Sequence, residues 1–170
     1  PTKEVYGLFT DNDKRKSANF IVTKKGVIGT GKLKQTSATV ADGGSNVIVL
    51  RYADVLLMLA ECYAEKDNVS KSNEYLNLIK KRAGIEEDSI GDVTLIKDEI
   101  ALERRIELVI EGLRWFDLIR TGKAVEVMNA YFTRTPGYTG ITISELNYVQ
   151  PIPQGQIDTD SATKQNEGYN

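Results

Sequence analysis

From Val47 to Gly84 the apolar residues recur at intervals of three and four, and this pattern restricts the fold more than any other feature of the chain. Leu50, Ala53, Leu57, Ala60 and Ala64 form the stripe of one helix. A second helix fits Ser70 to Ala83, with Ser70 as a plausible N-cap and Gly84 as its stop. So short a connection makes the two helices an antiparallel hairpin.

Laid on the 34-residue tetratricopeptide template from Ala53, the hairpin puts Leu56, Leu59, Ala60 and Tyr63 on helix A, with Leu76 and Ile79 on helix B. Small Ala60 stands where the helices must approach closely, Ser72 takes a position usually held by Ala, and Gly84 replaces a Pro. Only one such repeat is evident, and a lone repeat leaves apolar faces open, so neighbouring helices are expected elsewhere. A third helix fits Thr94 to Gly112, with Leu95, Leu102, Ile106, Val109 and Leu113 on one stripe and Ile96, Ile100 and Ile110 widening it. A face that wide implies burial on two sides.

A short helix follows Gly112 and stops near Thr121-Gly122, and Lys123 to Phe132 continues helically. Pro136-Gly137 marks a turn in the loop Thr133 to Gly140, and Pro151 and Pro153 suit an extended tail. Residues 1–46 lack helical periodicity. They read as an irregular arm with one short strand, Phe20 to Thr23, ending in the turn signal Asp42-Gly-Gly-Ser-Asn46. The expected fold is therefore mainly α: a tetratricopeptide-like hairpin with further packed helices, an irregular N-terminal arm (1–46) and a helical domain with an extended tail (47–170).

Composition narrows the chemistry. With 22 basic and 24 acidic residues the net charge is -2, which disfavours nucleic-acid binding. The chain has no histidine, hence neither the usual neutral-pH base nor the commonest zinc ligand. No cofactor or metal is implied. The lone Cys62 excludes an intramolecular disulfide and reads as packing. The first residue is Pro1 and no signal-like segment follows it, so a processed chain or a fragment is expected.

Five features invite a chemical reading. Gly26 to Lys32 matches the GxxxxGK part of a phosphate loop, but Leu33 stands where Ser or Thr must hold magnesium, and no helical stripe follows. Glu103, Glu107 and Glu111 lie four apart, a spacing that can converge on a metal or form an acid–base pair. Without histidine, and with Arg104, Arg105 and Arg114 at hand as counter-charges, structural ion pairing is the favoured reading. Trp115 and Phe116 resemble a sugar-stacking pair but read as core aromatics of a buried helix. Tyr131, Phe132 and Tyr138, around the Pro136 loop, are the candidate ligand contacts. Asn68-Val69-Ser70 is a formal glycosylation sequon.

Four ordered segments together resemble the C-terminal region of the SusD/RagB family of nutrient-binding lipoproteins: Val49 to Glu61, Leu78 to Gly84, Glu103 to Lys123, and Val149-Gln-Pro-Ile-Pro-Gln154 with Gln165-Asn-Glu-Gly-Tyr169. Asp13-Lys-Arg15 is a fainter match, and Glu167 departs from a Pro common in the last motif. The resemblance implies a mostly helical fold with tetratricopeptide-like hairpins inside a longer parent. That parent would be lipid-anchored on the surface of a Bacteroidetes-type outer membrane. It would bind glycans or other oligomeric nutrients without catalysis and deliver them to a TonB-dependent, SusC-like transporter. The hairpin alone leaves a tetratricopeptide-like protein-interaction module open, and a carboxylate-based glycoside hydrolase is a third reading.

Overall fold

Helix α3 (Tyr52–Glu65) and helix α4 (Val69–Ala83) form the hairpin, and α5 (Val93–Glu107) packs across it. The computed structural model describes residues 1–32, 48–87 and 89–169, which fall in two compact units, Pro1–Arg114 and Trp115–Asn170. The turn signal at Asp42 to Asn46 and the expected helical start at Val47 lie outside the described residues.

Helix α3 begins later than its periodicity suggests, because Val49 and Leu50 are exposed and extended and Arg51 takes the N-cap position. Leu57, Ala60, Ala64, Leu76, Ile79, Ile96 and Ile100 make the core among the three helices. Ala60 and Ser72 mark the close approach: the fully buried Ser72 hydroxyl donates to the Ala60 carbonyl at 2.8 Å. Asn68 rather than Ser70 caps α4, accepting from the Lys71 amide at 3.1 Å, since the helix starts one residue earlier than expected. Gly84 does stop it, at φ +79, while the Ile85 amide closes on the Lys80 carbonyl at 3.0 Å. Leu59 and Tyr63 are only half-buried, and Tyr63 stacks on Tyr75 with ring centroids 5.5 Å apart. Cys62 is exposed, so it is not a packing residue.

The arm is ordered, not irregular, over residues 1–32. It folds as α1 (Lys3–Gly7), α2 (Lys14–Asn19) and an antiparallel hairpin of β1 (Phe20–Val22) and β2 (Ile28–Thr30), with Phe20 opposite Thr30. These helices are too short to show periodicity, and their caps, Thr2 and Asp13, carry the signal instead. Phe9, Phe20 and Ile106 form a second apolar cluster that seats the arm on α5.

Helix α5 departs most from expectation. Asp92 caps it, and it ends at Glu107, not Gly112, because the chain turns with Ile110 at φ +71 and Gly112 at φ +80. Its buried face is Ile96, Ile100, Glu103, Arg104, Ile106 and Glu107, whereas Leu95 and Leu102 are exposed. The expected face is thus right at Ile96, Ile100 and Ile106 but wrong at Leu95 and Leu102: charged residues occupy buried positions, which a purely apolar pattern passes over.

In the second unit, α6 (Arg114–Arg120) continues through Thr121-Gly122 into α7 (Ala124–Arg134), a 3-10 turn spans Glu145–Tyr148, and α8 covers Gln154–Thr159. The Pro151–Pro153 segment is extended, as prolines that lack an amide donor require. Side-chain amides replace the missing ladder. Gln165 accepts from the Ile152 amide at 2.8 Å and donates to its carbonyl at 2.9 Å, and Asn166 donates to the Gln150 carbonyl at 2.7 Å. The Tyr169 hydroxyl completes the clasp on the Val149 carbonyl at 3.1 Å. Gly168, at φ +90 with Leu146 Cβ 3.1 Å from where a Cβ would stand, is needed for the turn.

Candidate functional site

Two groups of residues merit a functional reading, one in each unit. The first is a charge network on α5. Glu107 is 2% exposed and accepts from Arg15 Nη1 at 2.8 Å, Arg51 Nη1 at 2.6 Å and Arg82 Nη2 at 2.6 Å. Its backbone carbonyl accepts from Arg51 Nη2 and Lys32 Nζ, both at 2.7 Å. Arg15 also pairs with Glu103 and lies against Asp13, its Nη2 2.8 Å from Oδ2. Glu111, past the end of the helix, pairs with Lys32 and with Arg51 Nη2 at 2.8 Å.

Electrostatics follow the geometry. Burial pushes the Glu103 carboxyl above the usual glutamate range, and the hydrogen bond from Arg15 only partly offsets it. Burial acts the same way on Glu107 and Glu111, but there the arginine and lysine donors prevail and hold both below that range. Burial lowers Lys32, with its Glu111 partner opposing, while Arg15 is driven up by its carboxylates despite its own burial.

Two of the expected counter-charges pair with carboxylates on α3 and α1. Arg104 pairs with Asp54 at 2.8 Å and Arg105 with Glu4 at 3.0 Å, and Arg114 lies beyond the end of α5. The cations come from other elements. Their separations from Glu107, 92 residues for Arg15, 56 for Arg51 and 25 for Arg82, put them beyond any local pattern. Lys32, the last residue of the GxxxxGK match, is likewise spent here, and Gly26 to Thr30 form the hairpin turn and strand β2 rather than a phosphate cradle. Buried carboxylates bridged by guanidinium groups are not poised for acid–base work, which needs a proton donor and acceptor facing an open cleft. Among the described residues, no group of His, Cys, Asp and Glu could hold a metal ion.

The second group is aromatic. Phe132 and Tyr138 stack with centroids 5.6 Å apart, Tyr131 lies 5.9 and 6.0 Å from them, and the Arg134 guanidinium sits 5.8 Å from the Tyr131 ring. The α7 end and the Pro136-Gly137 turn, with Gly137 at φ +90, bring the three rings together. Tyr138 is exposed and the other two are half-buried. Trp115 is half-buried and T-shaped to Tyr148 with ring centroids 6.1 Å apart, but Phe116 is 65% exposed and is no core residue of this chain. The short α6 buries Asp117 and Leu118 instead, and Phe116 falls on its outer side.

The SusD family model matches residues 5–169. A SusD-like protein of Formosa agariphila is 41% identical over 93 residues, 49% of this chain and 18% of that protein. A SusD-like protein of Bacteroides ovatus is 30% identical over 152 residues, 82% of this chain and 26% of that protein. Among solved structures, surface glycan-binding protein A from Bacteroides uniformis matches with a TM-score of 0.83 at 28% identity, over 97% of this chain and 40% of the other. Surface glycan-binding protein A from Bacteroides thetaiotaomicron, in complex with laminarihexaose, matches with a TM-score of 0.75 at 29% identity, also over 97% and 40%. The chain spans less than half the length of each of these relatives.

Proposed function

This chain belongs to the SusD family, and from that premise we propose that its longer parent binds glycans at the cell surface without hydrolysing them and passes them to a TonB-dependent, SusC-like outer-membrane transporter. The observation that carries the proposal is the likeness, over 97% of the chain, to a surface glycan-binding protein solved with laminarihexaose. The geometry agrees with binding rather than catalysis, because the carboxylates of the α5 network are buried and bridged by cations. In this reading the parent is lipid-anchored on the outer membrane, and Tyr131, Phe132 and Tyr138 contact the ligand through their exposed edges and faces.

The test is calorimetric titration of the full-length protein with a panel of oligosaccharides that includes laminarihexaose, alongside recovery of membrane partners. The expected result is saturable binding, no shortened products, and a co-purifying transporter. Tyr131→Ala with Tyr138→Ala should weaken binding about tenfold, equivalent to about 1.4 kcal/mol. Failure to bind any glycan, with no transporter recovered, refutes the proposal. A soluble protein partner in place of both would favour the tetratricopeptide-like interaction module.

A further inference from the structure

On the first unit, α1, α2 and β1 enclose an open hollow of about 430 Å³ that the charge network does not use. Its wall is the half-buried Tyr6 ring, set edge-on against Phe20 at 5.3 Å, with the half-exposed Val22 beside it. Lys16 Nζ stands 5.0 Å from the Tyr6 ring centre and donates to Asp11 Oδ1 at 2.8 Å. Asp11 Oδ2 and the Asn12 amide have no hydrogen-bond partner among the described residues, and the Asp11 side chain is 99% exposed. The Ser17 hydroxyl adds a further polar group to the lining.

This combination selects a ligand chemistry. A carboxylate only accepts hydrogen bonds and an ammonium only donates them, so a bound group that does both satisfies the two at once. Sugar hydroxyls do both. An apolar ligand would strip water from the part-buried Lys16 and return nothing. The apolar Tyr6 and Val22 surface complements the C–H face of a pyranose ring, and the volume lies in the lower part of the roughly 300–1,000 Å³ range of small-ligand sites. We propose that the hollow bounded by Tyr6, Asp11, Asn12, Lys14, Lys16 and Val22 holds one pyranose unit of a glycan, as a binding site of the first unit in its own right.

The inference rests on the glycan-binding reading, and the experiment separates the two. Full-length wild type, Asp11→Ala and Asn12→Ala are titrated calorimetrically with the neutral oligosaccharide that binds best in the panel, with circular dichroism as the check on folding. Both side chains are exposed and outside the core, so folding should be unchanged. A loss of fivefold or more in affinity for both variants is expected, with the Tyr131→Ala, Tyr138→Ala effect retained on top of it. Wild-type affinity in both variants overturns the subsite and leaves the glycan reading standing. Absence of glycan binding by the wild type overturns both.

Discussion

Glu107→Gln is the sharpest test of what the α5 network does. The substitution keeps the side chain's size and one carbonyl acceptor but removes the charge on which Arg15, Arg51 and Arg82 converge. Asp13, Glu103, Glu107 and Glu111 face Arg15, Lys32, Arg51 and Arg82, four charges of each sign, so the variant leaves one buried positive charge in excess. Removing one partner of a buried pair costs roughly 3–5 kcal/mol. Here Arg15 keeps Asp13 and Glu103, Arg51 keeps Glu111, and the Arg82 side chain is 55% exposed and can turn to water. Those fallbacks place the cost at the low end, about 3 kcal/mol. Urea unfolding followed by far-ultraviolet circular dichroism measures it, with Glu74→Gln as the control. That glutamate pairs with Lys71 on the surface, where such pairs contribute roughly 0–1 kcal/mol. Equal unfolding midpoints for the two variants would refute the idea that the network holds the arm and α3 to α5.

Acid should act through the same groups. Glu107 and Glu111 titrate below the ordinary value of 4.5 in the folded state, so their stabilisation is complete above that value and is lost as pH falls through their folded values. Glu103 titrates above 4.5 and works in the opposite sense, since the folded state then holds its proton more tightly than the unfolded one. Glu107→Gln removes one of the two groups whose stabilisation acid removes, so stability should fall less steeply with acid below about pH 4.5 in the variant than in wild type. Unfolding midpoints taken between pH 3 and 7 measure both slopes.

Ser72→Ala deletes the hydroxyl that satisfies the Ala60 carbonyl at the α3–α4 contact, and thermal melting should report a loss of about 1 kcal/mol. Phe116→Ala should leave the stability of the 170-residue chain within about 0.5 kcal/mol of wild type, because the ring is exposed in it. A loss above 2 kcal/mol would show that the ring is packed after all.

Helix existence was legible in the sequence wherever the buried face is apolar, as in α3 and α4, and so was the stop at Gly84, whose left-handed conformation has a one-residue signature. The face of α5 was legible by the same rule only at Ile96, Ile100 and Ile106. Elsewhere on that helix burial is set by tertiary ion pairs, so Glu103 and Glu107 are inside while Leu95 and Leu102 are outside. Periodicity carries no information about partners 25 to 92 residues away. The motif segments carried that information in another form. Asp13 and Arg15, Arg51, Arg82, and Glu103, Glu107 and Glu111 come from four separate matched stretches, and they meet in one network that Lys32 joins from outside them. The Val149–Gln154 and Gln165–Tyr169 motifs likewise meet each other, in the clasp built by Gln165, Asn166 and Tyr169. What the matched segments encode is therefore how distant parts of the chain are fastened together. Tyr6, Asp11, Asn12, Tyr131, Phe132 and Tyr138, the residues proposed as ligand contacts, all lie outside those fastening segments.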